Sequence, residues 1–418
     1  MTTRMVPRPA APARVREAAL RLAVRAADPV CAYVYDLQGL AASTRRLRNQ
    51  LPAQVAFYYA VKANADAPIL RTIAPYVDGF EVASGGELRH VRRLFPGAPV
   101  VFGGPGKTDA ELRAALLSGV EFLHVESLME LERLAHAARA EGRVARVLLR
   151  VNLPLADLPD APLAMGGRPT PFGIDADLVP ACLTWLRDHP EVTLHGFHLH
   201  LLSGQLDASA HLRLVSAYGR QLRAWRDEHG LNVRHLNVGG GIGVNYRDPA
   251  RPFDWATFTR GLHEVLRGPD WAGVRVRFEL GRAVTAACGY YAMQVLDVKR
   301  TFGRTFVVAR GGTHHFRTPA AQGHDHPFEV LRVDHWPHPY ARPRTHGENV
   351  TVVGQLCTPK DVLARDVPCG QVRAGDVLLF HLAGAYAWSI SHHAFLMHDP
   401  PAFVYLDEHE APHGRPVS

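Results

Sequence analysis

The chain has 418 residues, 47% hydrophobic and 21% charged, with a formal charge of +7, an ordinary globular composition long enough for a barrel-sized domain and a smaller second one. The positive charge is scattered arginine rather than a basic run, which speaks against nucleic acid as the main partner and suits an anionic small substrate. Five cysteines without CxxC spacing point to a reducing compartment, and no run of about 18 apolar residues marks a membrane span, so a cytoplasmic protein with no membrane partner is expected.

Residues 1–29 read as a Pro-containing arm with a short helix over Val15–Ala27, in which Arg14, Arg16, Arg21 and Arg25 interrupt any signal-peptide core. Cys31–Leu37 (CAYVYDL) is aromatic and β-branched enough for a strand, and Gly39–Asn49 reads as a helix. A regular alternation follows. Short apolar runs at Val55–Val61, Gly79–Ala83, Pro99–Phe102, Glu121–Val125, Val144–Val151, Val192–Leu201, Val233–Val238 and Val274–Leu280 are bounded by turn residues. Stretches of helical period lie between them, one opening with a capping box at Thr108 and Glu111. This spacing predicts an α/β fold, a closed (β/α)8 TIM-like barrel over residues 30–289. An open doubly wound sheet is the alternative, and it would need a dinucleotide fingerprint after its first strand. From about Tyr290 the strands lose their intervening helices, which predicts an all-β C-terminal domain over 290–418.

Lys62, Lys107, Lys299 and Lys360 are the only lysines among 47 basic residues. Arginine has taken over the generic solubilising role, so the lysine in VAFYYAVKANA stands out. Only a primary amine condenses with an aldehyde, and apolar surroundings favour its neutral, nucleophilic form. A strand-end lysine that snorkels to solvent would also fit this stretch.

A barrel places its chemistry at the C-terminal ends of the strands. Those ends carry Lys62, Glu81, Glu126, Arg150, His200, the triplet Gly239-Gly240-Gly241 and Glu279. The glycines can expose successive N–H groups to an anion, and Arg282 can add a charge-assisted bond. Glu279 can hold a proton on a pyridine nitrogen, and His200 can lie flat on the ring. His198 and His200 lack further ligands at metal-site spacing, so no metal is expected. FGGPGKT lacks the spacing of a phosphate-binding loop.

YYAVKAN, GFEVASGGEL, GFHLHLLSG, NVGGGIG, FELGR, GQLCTPKD and AGAYAWS follow one another over roughly residues 30–406. Together they resemble the fold-type III pyridoxal-phosphate decarboxylases, which include ornithine and diaminopimelate decarboxylases. The resemblance implies pyridoxal 5'-phosphate as cofactor and a homodimer with active sites at the interface. It implies Lys62 as the lysine that condenses with the cofactor, Glu279 on the ring nitrogen and His200 on the ring face. It assigns Ser203, Gly239, Gly240, Gly241, Arg282 and Tyr386 to the phosphate, and Glu81, Glu87 and Arg150 to the surroundings of the amine. It implies that Cys357 reaches across from the partner chain to protonate the substrate carbon; by itself that residue would be read as a buried hydrophobe.

Departures from the family pattern bear on the substrate. Thr358 stands where these amino-acid decarboxylases carry an acidic residue that pairs with a distal ammonium, and a hydroxyl cannot neutralise such a charge. Glu81 stands for Asp, Leu280 for Pro and Leu202 for Gly. Arg168, Arg310, Arg317 and Lys360 lie in the loops expected to meet substrate, and arginine forks suit carboxylates. FGGPGKTDAELR, LAMGGRPTPFGI and RGGTHHFR resemble more narrowly the decarboxylases of staphyloferrin B-type siderophore pathways. The activity this implies is removal of the α-carboxylate of a citryl-L-2,3-diaminopropionate conjugate to give citryl-diaminoethane. A decarboxylase of diaminopimelate, ornithine or lysine is the alternative.

Overall fold

The computed structural model describes residues 10–25, 28–155 and 163–407. The chain forms two compact units, Ser43–Val244 with Phe253–Val284, and Met1–Ala42 with Asn245–Pro252 and Thr285–Ser418.

The first unit is the closed barrel. Its strands are β1 (Val55–Ala60), β2 (Gly79–Val82), β3 (Val100–Phe102), β4 (Phe122–Val125), β5 (Ala145–Asn152), β6 (Val192–His198), β7 (His235–Asn237) and β8 (Arg275–Leu280). They pair in parallel in the order β4-β3-β2-β1-β8-β7-β6-β5, and β4 meets β5 to close the ring. Each corresponds to one of the eight apolar runs, because strands covered by helices outside and side chains inside need little polar alternation. Tyr58, Val101, Phe122 and Leu148 form one buried cluster.

Local chemistry starts and stops the intervening helices. Ser84, Ser127 and Asp207 accept backbone N–H bonds at the starts of Gly85–Leu94, Leu128–Ala140 and Ala208–His229. Thr108 and Glu111 form the expected capping box. Gly230, at φ 63°, ends Ala208–His229 in the left-handed conformation that glycine adopts without strain.

The second unit is all-β. Strands Phe328–Leu331, Val377–Phe380, Gly289–Thr301, Arg304–Ala309, Asn349–Val353 and Val362–Pro368 lie side by side in that order. Cys31–Asp36 is a strand, as its composition predicts, but it pairs with Gly289–Thr301 and Ala402–Leu406. It therefore belongs to this sheet rather than to the segment that begins at residue 30 in the sequence reading. Its aromatic rings explain the choice: Tyr33 and Tyr35 stack on Phe403 and Tyr405. The N-terminal helix spans Ala13–Arg25; residues 1–9 and 26–27 of the expected arm lie outside the described residues. Among the described residues no helix is long and apolar enough to cross a membrane.

Candidate active site

Lys62 sits in a single 3-10 turn, Val61–Ala63, directly beyond β1. Its Nζ lies 2.9 Å from both carboxylate oxygens of Glu81 on β2. The amine side is 44% exposed and the carboxylate 5%, so a buried acid presents the amine to the barrel mouth. Register accounts for the pairing, since Ala60 lies opposite Glu81 across the β1–β2 ladder. The extra methylene of Glu over Asp lets it take the amine with both oxygens. Glu87, in the first turn of Gly85–Leu94, accepts the Ala83 N–H at 2.7 Å. Burial raises its titration, while that bond opposes the rise.

Glu279 is the fifth residue of β8, paired with β1 through Tyr58. Burial lifts its carboxyl to about 7, and the charge of Glu81 adds to the lift; Lys62, a hydrogen bond from Asn237 and Arg150 pull the other way. Lys62, Glu81 and Arg150 thus all act on Glu279 at one end of the barrel. Asn237 Nδ2 donates to Glu279 Oε1 at 2.6 Å. His124 and His198 lie close by, with Nδ1 and Nε2 respectively 3.7 and 3.5 Å from the carboxylate. Their donor atoms and that of Glu279 lie within 4.8 Å of one another. A third and nearer set of metal-type donors therefore exists where spacing showed only His198 and His200. The signal available in the sequence was polar residues at alternate positions of strands that are otherwise apolar.

The loop Gly239-Gly240-Gly241 follows β7, with φ of 66° at Gly239 and 82° at Gly241. A Cβ on Gly239 would lie 2.3 Å from the His200 ring, and one on Gly240 2.0 Å from the Glu279 carbonyl oxygen. Only glycine lets this loop approach both. The Gly239 N–H is spent on Asn237 Oδ1 at 2.9 Å. His200 Nδ1 accepts the Gly240 N–H in a long bond of 3.4 Å. Burial first, then Arg150 and Lys62, holds His200 well below its ordinary titration, leaving a neutral flat ring. Ser203 pairs with Leu163 in a two-strand ribbon, and Arg282 opens the short helix Arg282–Thr285.

Glu126, just past β4, ties three segments together. It accepts the Gly104 N–H and an Arg150 Nη1 bond on Oε1, and the Gly173 N–H on Oε2, each at 2.9 Å. Arg150 also lies 4.7 Å over the Phe172 ring. The loop carrying Arg168 is pinned from its other side, where Asn152 donates to the Arg168 carbonyl and accepts the Gly167 N–H. The Arg168 side chain points to solvent. Lys107 gives its protons to the carbonyls of Gly104 and His124 and to Glu130. It is a buttress under the rim, as the missing phosphate-loop spacing implies.

The remaining candidates belong to the second unit. Asp361, 2% exposed, accepts the Thr313 N–H at 2.6 Å and the Leu356 N–H at 2.9 Å. It thereby clamps the RGGT loop carrying Arg310 to the loop carrying Cys357 and Thr358. Arg310 donates to Gln355 at 3.1 Å, and Cys357 is an exposed free thiol. Arg317 and Lys360 are exposed. Tyr386 holds φ 50°, and its carbonyl accepts the Thr318 hydroxyl; a left-handed non-glycine residue is costly unless its surroundings enforce it.

A cavity of about 800 Å³ lined by Arg48, Asp78, Glu121, Arg146 and Arg277 opens at the N-terminal ends of the strands. Chemistry rather than volume locates the site at the other end. There an amine, a buried acid with a raised titration, a neutral imidazole and a glycine loop lie together, and both ring nitrogens of His198 lack hydrogen-bond partners. These residues fit a phosphorylated pyridine aldehyde.

The family profile described as "Pyridoxal-dependent decarboxylase, pyridoxal binding domain" matches residues 37–286. A 2-[(L-alanin-3-ylcarbamoyl)methyl]-2-hydroxybutanedioate decarboxylase of Staphylococcus aureus is 43% identical over 380 residues, 91% of this chain and 95% of that protein. A diaminopimelate decarboxylase of Pseudomonas aeruginosa is 34% identical over 383 residues, 89% of this chain and 86% of that protein. The solved diaminopimelate decarboxylase of Helicobacter pylori, complexed with L-lysine, shares the fold at TM-score 0.81 and 23% identity, covering 93% of this chain and 94% of that one. The chain belongs to the pyridoxal-dependent decarboxylases, and pyridoxal 5'-phosphate is its cofactor.

Proposed function

We propose that this decarboxylase removes the α-carboxylate of citryl-L-2,3-diaminopropionate to give citryl-diaminoethane, a step in making a siderophore of the staphyloferrin B type. The observation that supports the reading is the Asp361 clamp, which ties the loop carrying Arg310 to the loop carrying Thr358. A guanidinium on one of these loops suits a polycarboxylate head, and a hydroxyl at 358 in place of an acid leaves a distal ammonium without a counter-charge from that position. The S. aureus relative, whose name specifies that conjugate, supports it over 91% of this chain. Arg168, Arg317 and Lys360 are the further candidates for the citryl carboxylates.

Lys62 is the amine that would hold the cofactor covalently, and Glu81 holds that amine in place whenever it is free. Gly240, Gly241, Ser203, Arg282 and Tyr386 take the phosphate, and His200 supports the ring face. Glu279 stands at the ring nitrogen. When bound, the cofactor supplies an electron sink for the pair left by departing carbon dioxide. Cys357 of a second copy, or Lys62, returns a proton to the substrate Cα. The working form is a cytoplasmic homodimer with active sites at the interface.

Diaminopimelate, ornithine or lysine decarboxylation is the second reading, favoured by relatives such as the P. aeruginosa enzyme. Mass spectrometry of turnover with the citryl conjugate beside the three free amino acids separates the two. Carbon dioxide loss from the conjugate is expected; turnover of a free amino acid with none from the conjugate would sink the assignment.

A further inference from the structure

We propose that Asn237 and His124 are positioning residues that aim and charge-stabilise Glu279 through a hydrogen-bond relay anchored on the Gly239 N–H. The inference rests on the reading of Glu279 as the partner of the cofactor ring nitrogen.

The direction of the relay follows from donor and acceptor types alone. A backbone N–H can only donate, so the Asn237 atom 2.9 Å from Gly239 N is its carbonyl oxygen. The amide orientation is thereby fixed, and the opposite end is the NH2 group. One of its protons goes to Glu279 Oε1 at 2.6 Å, and the other faces His124 Nε2 at 3.2 Å. His124 Nε2 must then accept, which places the ring proton of a neutral imidazole on Nδ1. That N–H faces Glu279 Oε1 at 3.7 Å, too long for a hydrogen bond but close enough for its dipole to favour the anion. Asn237 and His124 are both fully buried, so no water competes for these bonds. With its proton on Nδ1, His124 also withholds the lone pair that a metal bound between His124, His198 and Glu279 would need, and the trio is better read as a floor for the cofactor than as a metal site.

The relay has a second consequence. One end of the Asn237 side chain shapes the glycine loop and the other end holds the Glu279 carboxylate, so a single amide sets the spacing between the phosphate end and the ring-nitrogen end of the site. Around Glu279 the other charged or titratable groups are Glu81 on β2, Lys62 after β1, Arg150 on β5 and His198 on β6. Burial and Glu81 disfavour the carboxylate. Asn237 and His124 supply donors against that pressure from β7 and β4.

Asn237→Asp tests this, because it keeps the acceptor for the Gly239 N–H and removes the amide donor to Glu279 and His124, leaving two carboxyls to share a proton. In the cofactor-free full-length chain, the Glu279 carboxyl, identified by infrared difference against Glu279→Gln, should titrate about one to two pH units higher. Pyridoxal phosphate should bind about 10- to 100-fold more weakly. His124→Phe should move both in the same direction by less. Unchanged titration and affinity in Asn237→Asp would overturn the proposal. Should that variant not fold, unchanged titration and affinity in His124→Phe would overturn it equally. A wild-type chain that bound no pyridoxal phosphate, with the titration still moved in the variants, would sink the reading of Glu279 at the ring nitrogen and support the relay.

Discussion

The two ends of the barrel carry similar residue types in opposite conditions. At the N-terminal end Arg277 donates to Glu121 at 2.8 Å and lies between the rings of Tyr58 and Phe122, at 4.4 and 5.0 Å, while Tyr58 also bonds to Glu121. Burial raises the Tyr58 hydroxyl well above its ordinary range and keeps it a donor. Two residues further along β8, Glu279 has no guanidinium hydrogen-bonded to it among the described residues, although Lys62 and Arg150 act on it through their charge. It is buried beside a second carboxylate, Glu81, with an amide and two neutral imidazoles for company. The first arrangement is a neutralised cluster that holds strands together. The second keeps a buried carboxyl under unfavourable electrostatics, and such tuned groups are expected where an enzyme does its chemistry. Room does not decide which end can do chemistry, since the cavity of about 800 Å³ lies at the N-terminal end; the C-terminal ends of the strands are where a barrel gathers its reactive groups.

That contrast predicts opposite responses to substitution. Lys62→Ala should have the largest effect, lowering carbon dioxide release by about 10³-fold or more and abolishing the visible absorbance of lysine-linked cofactor. Retained absorbance would break the assignment of the reactive end. Glu279→Gln should lower kcat/KM by about 10²- to 10³-fold yet stabilise the cofactor-free chain at about pH 8 by about 1–3 kcal/mol. The sign follows from a raised folded-state value. The unfolded carboxyl ionises first, so wild-type stability is fully present below about 4.5 and is lost as pH rises through about 7. The gain in the Gln variant should therefore vanish in acid, which urea unfolding across pH reads directly.

Arg277→Met should do the reverse, costing about 3 kcal/mol of stability by stranding Glu121 while leaving kcat of the folded enzyme within about twofold. A large fall in kcat there would mean that the two ends are coupled. Smallest is Glu126→Gln, which should turn an N–H against the Gly173 N–H and loosen the Arg168 loop. KM is expected to rise about five- to tenfold with kcat nearly unchanged, and a fall in kcat alone would place Glu126 in the chemistry instead.

Much of this was legible in the residues. The eight apolar runs, the capping box at Thr108 and the strand-end positions of Lys62, Glu81, Arg150 and Glu279 are local patterns, and the structure has each where its pattern put it. Asn237 is hidden because it reads as the last residue of an apolar strand, and Asp361 because it reads as the end of the CTPKD motif. Each works through partners that lie far away along the chain or whose geometry a turn conceals. Cys31–Asp36 was seen as a strand but not as a member of the second sheet, since its partners lie more than 250 positions on.

The sequence by itself determined the barrel, the second all-β sheet, the reactive amine and the acid that faces it, because period, turn residues and motif order are properties of neighbouring positions. Tertiary structure alone decided which buried groups neutralise one another. Glu121 and Arg277 are 156 positions apart, and Glu126 and Gly173 are 47 apart. Such pairs exist only once the ring of strands has closed and its register has brought them within bonding distance, and the strand–helix spacing that predicts the ring does not specify that register.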